Sequence, residues 1–463
     1  MQEIKKKFSD FFEIITSEKF FFYYIIFVMI SLPVTEFLDE KHTNIFVSQP
    51  IIVEVAGYVG VFAFLVHFLK HQDIKYYLTD VLYLLLFTFS LLSALFTQNR
   101  NATWFGFYYD EWLSNFMGYF SLMLAGTMIQ QKQMRKNILC AFVIVTIIQV
   151  TVGTLQTFGI YQMECLFDPE RIMPERMSYG LIQHVNWYGG LCVLLFACSA
   201  GIYLFTSNKA VRNILYVLSM FCFYTLISAE SRLAWVGTFA FILFIIVSLI
   251  VMILKGYDKQ KLKSILIRFI ILLIGMTAVI AVCILAFGRI LERIERSTYE
   301  LTEENNREGL TKLENFGTRR GLIWKQGLKA FAKHWAFGIG LDNYRDAFLK
   351  DPDYHDEWTQ GKGHNEYIHY LVTQGIFQLI TYLTLLVYAA KTAVRNVIKN
   401  DDNEERFINW IFLGMFFGYT AQAFFNSSIV NVAPYFWITI GMLLTKKNQR
   451  YFGYSKQNKA AKK

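Results

Sequence analysis

Residues 318–348, TRRGLIWKQGLKAFAKHWAFGIGLDNYRDAF, and residues 361–376, GKGHNEYIHYLVTQGI, concentrate the polar chemistry of an otherwise apolar chain. Adjacent arginines (Arg319, Arg320) open an amphipathic helix expected over 321–334, with Leu322, Ile323, Leu328 and Phe331 at helical spacing and Trp324 and Lys325 beside them. The Gly338-Ile339-Gly340 pair of glycines closes that helix as a turn, and His364-Asn365 stands just ahead of the next long apolar run. Such a helix lies on a membrane surface or packs on a helical bundle. The rest of the chain therefore reads as the scaffold that holds this segment at one face of a bilayer.

Composition supports that reading. Of 463 residues, 54% are hydrophobic and 17% aromatic, and the mean hydropathy is +0.33, which excludes an ordinary soluble domain and implies an all-α polytopic membrane protein. The net charge of +9 is carried by short Lys/Arg clusters between apolar runs, the pattern of cytoplasmic loops rather than of a nucleic-acid surface. Cys140, Cys192, Cys198, Cys222 and Cys283 fall within apolar runs and only Cys165 lies in a polar loop, so the cysteines read as packing residues. The N-terminal MQEIKKKFSDFF precedes an apolar run without a small-residue cleavage site, and is expected to lead a retained first span.

Runs of about 20 apolar residues predict roughly twelve spans, near 19–37, 50–69, 78–96, 112–130, 137–159, 184–205, 212–229, 233–254, 265–287, 366–390, 407–425 and 428–445. Starting from the cytoplasm at Lys5-Lys6-Lys7, every second connection is basic: Lys70 and Lys75; Lys132, Arg135 and Lys136; Lys209 and Arg212; Lys255 to Lys263; Lys391 to Arg406; and the tail from Lys446. An even number of spans with both termini cytoplasmic satisfies all of them. The expected organisation is spans 1–9 over residues 1–287, a large extracytoplasmic loop at 288–365 between spans 9 and 10, spans 10–12 over 366–445, and a basic cytoplasmic tail at 446–463. Within the loop, 288–317 mixes acids and bases with little apolar periodicity and reads as a frayed helix plus a mobile connector.

This topology puts Arg232 (in SAESRLAWVG), Arg320 and His364 on one outer face. Read alone, Arg232 is an interfacial arginine beside Glu230, and a lone histidine is more often structural than catalytic. Arg320, however, sits near a helix N-terminus, where the helix dipole disfavours a cation unless an anion is bound there. Two guanidinium groups that chelate phosphate oxygens and an imidazole that takes a hydroxyl proton near neutrality suit transfer from a lipid-linked diphosphate. Other chemistries lack their patterns. His364 and His369 are five apart with no accompanying zinc motif, and Gly338-Ile339-Gly340 lacks a dinucleotide fingerprint. Asp342, Asp346, Asp351, Asp353, Asp356 and Glu357 match no calcium loop and read as a solvated acidic face. Tyr344 and Phe348 read as packing residues.

The strings GLIQHVNWYGG (180–190), SAESRLAWVG, TRRGLIW…HWAFGIGLDNYRDAF…GHNEYIHYLVTQGIF and GYTAQAFFNSSIVNVAPYFWITIG (418–441) resemble, in that order, the O-antigen ligase and polymerase superfamily of bacterial envelope glycosyltransferases. The resemblance covers roughly residues 180–441. It implies a C-type glycosyltransferase-like fold in the bacterial cytoplasmic membrane and an undecaprenyl-diphosphate-linked glycan donor, with no cofactor and no required metal. Arg232 resembles the arginine after serine in the family's SR turn, Arg320 the arginine four before tryptophan, and His364 the histidine of its HN pair. The implied roles are diphosphate binding for the arginines and activation of the acceptor hydroxyl for the histidine. The doubled arginine leaves Arg319 as an alternative to Arg320, and Asn365 completes the HN pair. His184-Val185-Asn186 resembles the family's His-Pro-Asn with valine for proline, which makes His184 and Asn186 polar liners of the outer cavity. The acceptor is a glycan, a lipid or a protein hydroxyl, for a polymerase, a ligase to lipid A-core or a protein O-oligosaccharyltransferase. The composition favours a capsule or exopolysaccharide polymerase, for which a chain-length regulator is an expected partner. The alternative outside enzymes is a lipid-linked-oligosaccharide flippase, which calls for ionisable residues deep within the spans.

Overall fold

In a computed structural model the protein is described over residues 2–38, 45–70, 75–97, 99–106, 111–165, 168–172, 176–287, 295 and 311–454. Most of the expected frayed connector, 288–310, and most of the basic tail lie outside the described residues. Among the described residues the architecture is helical, with two small antiparallel pairs of strands, Lys75–Tyr77 with Tyr451–Tyr454 and Glu164–Cys165 with Asp168–Ile172.

Among the described residues, nine helices are long and apolar enough to cross a bilayer: those within Glu18–Thr35, Ser48–Leu69, Leu78–Leu95, Lys132–Thr157, Val185–Phe205, Lys209–Ser228, Arg232–Leu254, Lys259–Leu285 and Glu366–Lys399. The count of twelve is not reached by this measure. The fourth expected span is the 16-residue helix Leu113–Met128, the eleventh is Asn403–Gln422 with Glu404 and Glu405 in its first turn, and the twelfth is the 11-residue Ala433–Leu443. The two shorter helices have a common physical character. Every residue of Leu113–Met128 except Met117, and every residue of Ala433–Leu443, is buried. They form the centre of the bundle and are shielded from lipid by their neighbours. The outer wall is the converse, with Ile214, Phe221, Phe239, Leu243, Ile274 and Leu285 exposed as a lipid-facing surface demands.

Without a hydrophobic difference between lipid and helix, close packing must supply the association, and small residues permit it. Leu113–Met128 packs against both Ile45–Lys70 and Ala433–Leu443. At the second contact Gly126 faces Gly441 so closely that a Cβ on Gly126 would lie 2.8 Å from Gly441 Cα.

Basic connections gather at one end of the bundle. Lys132 pairs with Asp402 and Glu404, each at 2.9 Å, and Lys136 pairs with Glu404 at 2.9 Å. Arg135, expected in the loop, is instead fully buried inside its helix, where it pairs with Glu405 and donates to Asn409 Oδ1 and the Met442 carbonyl at 3.0 Å. Lys447 closes the network onto Glu405 at 2.5 Å and the Gln130 carbonyl at 2.7 Å.

The long helix Glu366–Lys399, read from sequence as one span, is broken at Gly375, whose φ of 83° and ψ of −179° are not helical. Residues 335–340 fill the break: Ile339 N–H donates to the Val372 carbonyl at 3.0 Å, Gly340 N–H to Thr373 at 2.9 Å, and Ile376 N–H to Trp335 at 2.9 Å. Gly338-Ile339-Gly340 is thus a main-chain partner of the broken helix as well as a turn. Both glycines have positive φ, and a side chain on Gly338 would strike the main chain of Thr373 and Gln374.

Replacing Gly126 with alanine forces the two central helices apart and should cost about 1–3 kcal/mol. The check is thermal unfolding in detergent, where Gly126→Ala should melt clearly below the parent protein; an unchanged midpoint would show that the central contact is not close-packed.

Candidate functional site

The end of the bundle opposite the basic network collects the connections around 99–106, 111–112, 176–184, 229–231, 318–365 and 423–432. Thr103 Oγ1 donates to the Leu341 carbonyl at 3.0 Å, and Asn343 Nδ2 donates to Thr97 Oγ1 at 2.7 Å and Thr103 Oγ1 at 2.9 Å. Ser231 Oγ donates to Asn186 Oδ1 at 3.0 Å, and Trp187 Nε1 to the Ser427 carbonyl at 2.7 Å.

The amphipathic helix runs Lys312–Lys333, earlier than expected, because Thr311 and Glu314 form a capping box. Gly317, Thr318 and Arg319 interrupt it with φ of 62°, 64° and 66°, so Arg320 begins a second helical stretch. Its buried stripe is Leu322, Ile323, Gln326 and Gly327, seated on Ile339, Tyr344, Phe348 and Val372. Leu328, expected on that face, is exposed because it follows the stripe by one position and points away. Tyr344 and Phe348 are core residues.

The loop carrying His364 is pinned on every side. Lys362 is buried and its Nζ meets the buried Glu111 carboxylate, with the Ser428 carbonyl at 3.3 Å. Gly363 N–H donates to His369 Nδ1 at 3.3 Å, and its carbonyl accepts from Trp324 Nε1 at 2.9 Å. Asn365 Oδ1 caps the following helix by accepting from Ile368 N–H at 3.0 Å, and Glu366 N–H donates to the Ala423 carbonyl at 2.9 Å. Held between these contacts, His364 adopts φ of 45°. Among the described residues its ring makes no hydrogen bond. Its surroundings push the imidazole down to about 3: burial is the largest cause, followed by the charges of Arg320, His184 and Lys362. His184 is lowered to about 4 by burial, and it caps the helix Val185–Phe205 by accepting from Asn186 N–H at 3.3 Å. Both imidazoles are neutral at neutral pH.

Of the seven residues singled out by sequence, Arg320, His184 and His364 form one electrostatic group. Arg232 reaches the turn before Arg320, where its Nη2 donates to the Thr318 hydroxyl at 3.1 Å. Arg319 turns elsewhere, with its guanidinium 4.7 Å over the Trp358 ring and 3.9 Å from Asp356. Asn186 and Asn365 commit their side-chain oxygens to Ser231 and to a helix cap.

The acidic set divides: Asp353, Asp356 and Glu357 are exposed as a solvated face requires, but the rest are not. Asp342 and Asp346 are buried, Asp346 pairs with Lys350 at 2.8 Å, and Asp351 pairs with Lys329 at 2.8 Å. Glu111 and Lys362 escaped the sequence reading altogether, since 250 residues of chain separate them; the one local signal was a lysine between the glycines of GKGHN. Among the described residues no group of three or more His, Cys, Asp or Glu side chains is placed to hold a metal ion.

Backbone strain concentrates here. Gln183, Glu230, Thr318, Arg319 and His364 are five of the seven non-glycine residues with positive φ among the described residues, and each lies within two positions of His184, Arg232 or Arg320, or is His364 itself. Strain of this kind costs about 1–3 kcal/mol per residue and persists where surrounding structure over-determines it. Three helices that follow His184, Ser231 and Asn365 begin beside the same residues, and helix N-termini favour anions.

Residues 216–383 match the family model described as O-antigen ligase, so this segment is similar to that family. The match includes Arg232, Arg319, Arg320, His364 and Asn365 and excludes His184 and Asn186. No curated protein matches the chain.

Because Lys362 and Glu111 are both buried, Lys362→Ala leaves a carboxylate without its counter-charge and should destabilise by about 3–5 kcal/mol. The double replacement Glu111→Gln with Lys362→Met should recover much of that loss. Thermal unfolding of the single and double variants decides it, and additive losses would mean that the two groups do not act as a pair.

Proposed function

We propose that the protein transfers or polymerises a glycan carried on a lipid diphosphate, undecaprenyl diphosphate in a bacterial cytoplasmic membrane, to a hydroxyl acceptor on the outer face of that membrane. In this reading both termini are cytoplasmic and the basic end of the bundle faces inward, as the excess of Lys and Arg in those connections favours. The observation that supports it is the Arg320 charge acting on the neutral His364, with Arg232 bonded to Thr318 two positions before Arg320 and three helix N-termini adjoining these residues in sequence.

The residues divide the chemistry. The guanidinium groups hold the diphosphate and take up the charge that develops on its oxygen as the bond to the sugar breaks. The acceptor oxygen attacks the anomeric carbon while a His364 ring nitrogen receives the hydroxyl proton. The free imidazole is a weak base, but bound diphosphate adds negative charge beside it and raises its proton affinity. Arg320, rather than Arg319, is the arginine we assign to the donor, because Arg319 is engaged with Trp358 and Asp356. The favoured product is a polymer for capsule or exopolysaccharide, with the ligase and protein-transferase acceptors as alternatives on the same donor chemistry.

Replacing Arg320 or Arg232 with lysine removes the planar fork but keeps a charge. Loss of a charge-assisted contact worth about 1.5–3 kcal/mol should slow transfer by roughly ten- to more than a hundredfold, while Arg319→Lys should have a small effect. Purified protein, a synthetic lipid-diphosphate donor and a defined acceptor provide the measurement; near-normal transfer by both Arg320→Ala and Arg232→Ala would overturn the assignment.

Asparagine tolerates positive φ, so His364→Asn removes the base without straining the backbone and should lower transfer about 10²–10⁴-fold with little change in melting temperature. The pH profile adds a second constraint. A histidine lowered to about 3 stays neutral as pH falls, so kcat/KM, which reports the free enzyme, should show no acid limb from His364 between about pH 5.5 and 8. A limb near pH 6.5 abolished in His364→Asn would show an imidazole solvated like a free one.

A further inference from the structure

At the basic end of the bundle, away from the candidate site, a cavity of about 530 Å³ opens between the helices Lys132–Thr157, Val185–Phe205, Lys259–Phe287 and Asn403–Gln422. Its volume is within the roughly 300–1,000 Å³ typical of small-molecule sites. The wall is apolar, built by Leu139, Ile202, Phe205, Ile265, Phe407 and Ile411. The rim is basic, with Lys136, Lys261 and Arg268 against one acid, Glu404.

The rim charges are placed by specific contacts. Arg268 lies well inside its helix, yet its Nη1 donates to the Leu204 carbonyl at 2.7 Å and the Thr206 carbonyl at 2.8 Å, which satisfies the end of Val185–Phe205. Its remaining guanidinium nitrogens make no hydrogen bond among the described residues. Lys136 shares Glu404 with Lys132, so that carboxylate is already offset. Lys261 forms no ion pair among the described residues and is exposed at the opening. The rim therefore holds uncompensated positive charge directly above an apolar slot.

We propose that this cavity binds an anionic phospholipid, with the phosphate at Lys261 and Arg268 and an acyl chain against the apolar wall. The charge selects the ligand class. A zwitterionic lipid carries its own ammonium to a rim that is already cationic, whereas an anionic headgroup gains charge-assisted contacts to Arg and Lys. Basic pockets between membrane helices recognise acidic headgroups by this chemistry. The occupied site would bridge the Val185–Phe205 helix, whose N-terminus caps at His184, to the Asn403–Gln422 helix, so the lipid also fastens the inner ends of two elements that build the candidate site.

Native mass spectrometry of the full chain in detergent, supplied with equimolar phosphatidylglycerol and phosphatidylcholine, tests this without any assay of transfer. The parent protein should retain phosphatidylglycerol preferentially. Lys261→Gln should lower that retention roughly fivefold, and Lys261→Glu further, with phosphatidylcholine retention and melting temperature unchanged. Lys399→Gln, an exposed basic position at the same end but outside the cavity, should have no such effect. Equal loss in Lys261→Gln and Lys399→Gln would reduce the preference to general surface charge and overturn the site, as would undiminished retention in Lys261→Glu.

Discussion

Three main-chain hydrogen bonds across the break at Gly375 hold the functional end of the molecule together. A helix that stops within a bundle leaves carbonyls that neither water nor lipid satisfies, each costing several kcal/mol. Residues 335–340 supply the missing donors at Val372 and Thr373, and Ser93 Oγ adds a further donor to Thr373 at 2.8 Å. Because the strap is the direct continuation of the amphipathic helix, satisfying the break also fixes Leu322 and Ile323 against Tyr344 and Val372. Trp324 is thereby brought to the Gly363 carbonyl. One local defect in a spanning helix thus positions the arginine-bearing helix against the histidine-bearing loop.

That arrangement explains why the strained residues are tolerated. A left-handed Thr318 or His364 is unfavourable in isolation. In the fold, His364 lies between Gly363, tied at both its N–H and its carbonyl, and Asn365, committed to a helix cap. The buried Lys362–Glu111 pair anchors the same loop to the connection before Leu113–Met128. A ring with no hydrogen bond among the described residues is consequently held in place by its neighbours' backbone.

How much of this was legible in the sequence follows from the range of the interactions. Apolar run lengths revealed a helical membrane bundle, and local strings carried Arg232, Arg320 and His364 because short motifs encode their own turns. Run length misjudged Leu113–Met128 and Ala433–Leu443, since helices enclosed by protein need not match the thickness of lipid. It also passed through Gly375, because a glycine within an apolar run has the same composition whether or not the helix breaks there. The Glu111–Lys362 pair joins segments whose proximity exists only after folding. Arg319 and Arg320 are equivalent in composition, and only the left-handed turn before Arg320 sends one to Trp358 and the other towards His364.

The two ends of the bundle place opposite demands on charge. At the basic end, Glu405 is shared by Arg135 and Lys447, which locks Lys132–Thr157, Asn403–Gln422 and the segment after Ala433–Leu443 together. At the other end, burial and the nearby charges of Arg320 and Lys362 tilt an imidazole towards its neutral form. On the proposed reading, that tilt orders the reaction. Before the donor arrives, burial first and the surrounding cations second keep His364 a poor base, so an acceptor hydroxyl or water gains little activation. The diphosphate then offsets those cations, and proton affinity rises only once the bond to be broken is in place. A rigid scaffold is a requirement of such coupling, because the imidazole must sense the donor's charge rather than move away from it, and the pinned loop between Lys362 and Glu366 meets that requirement.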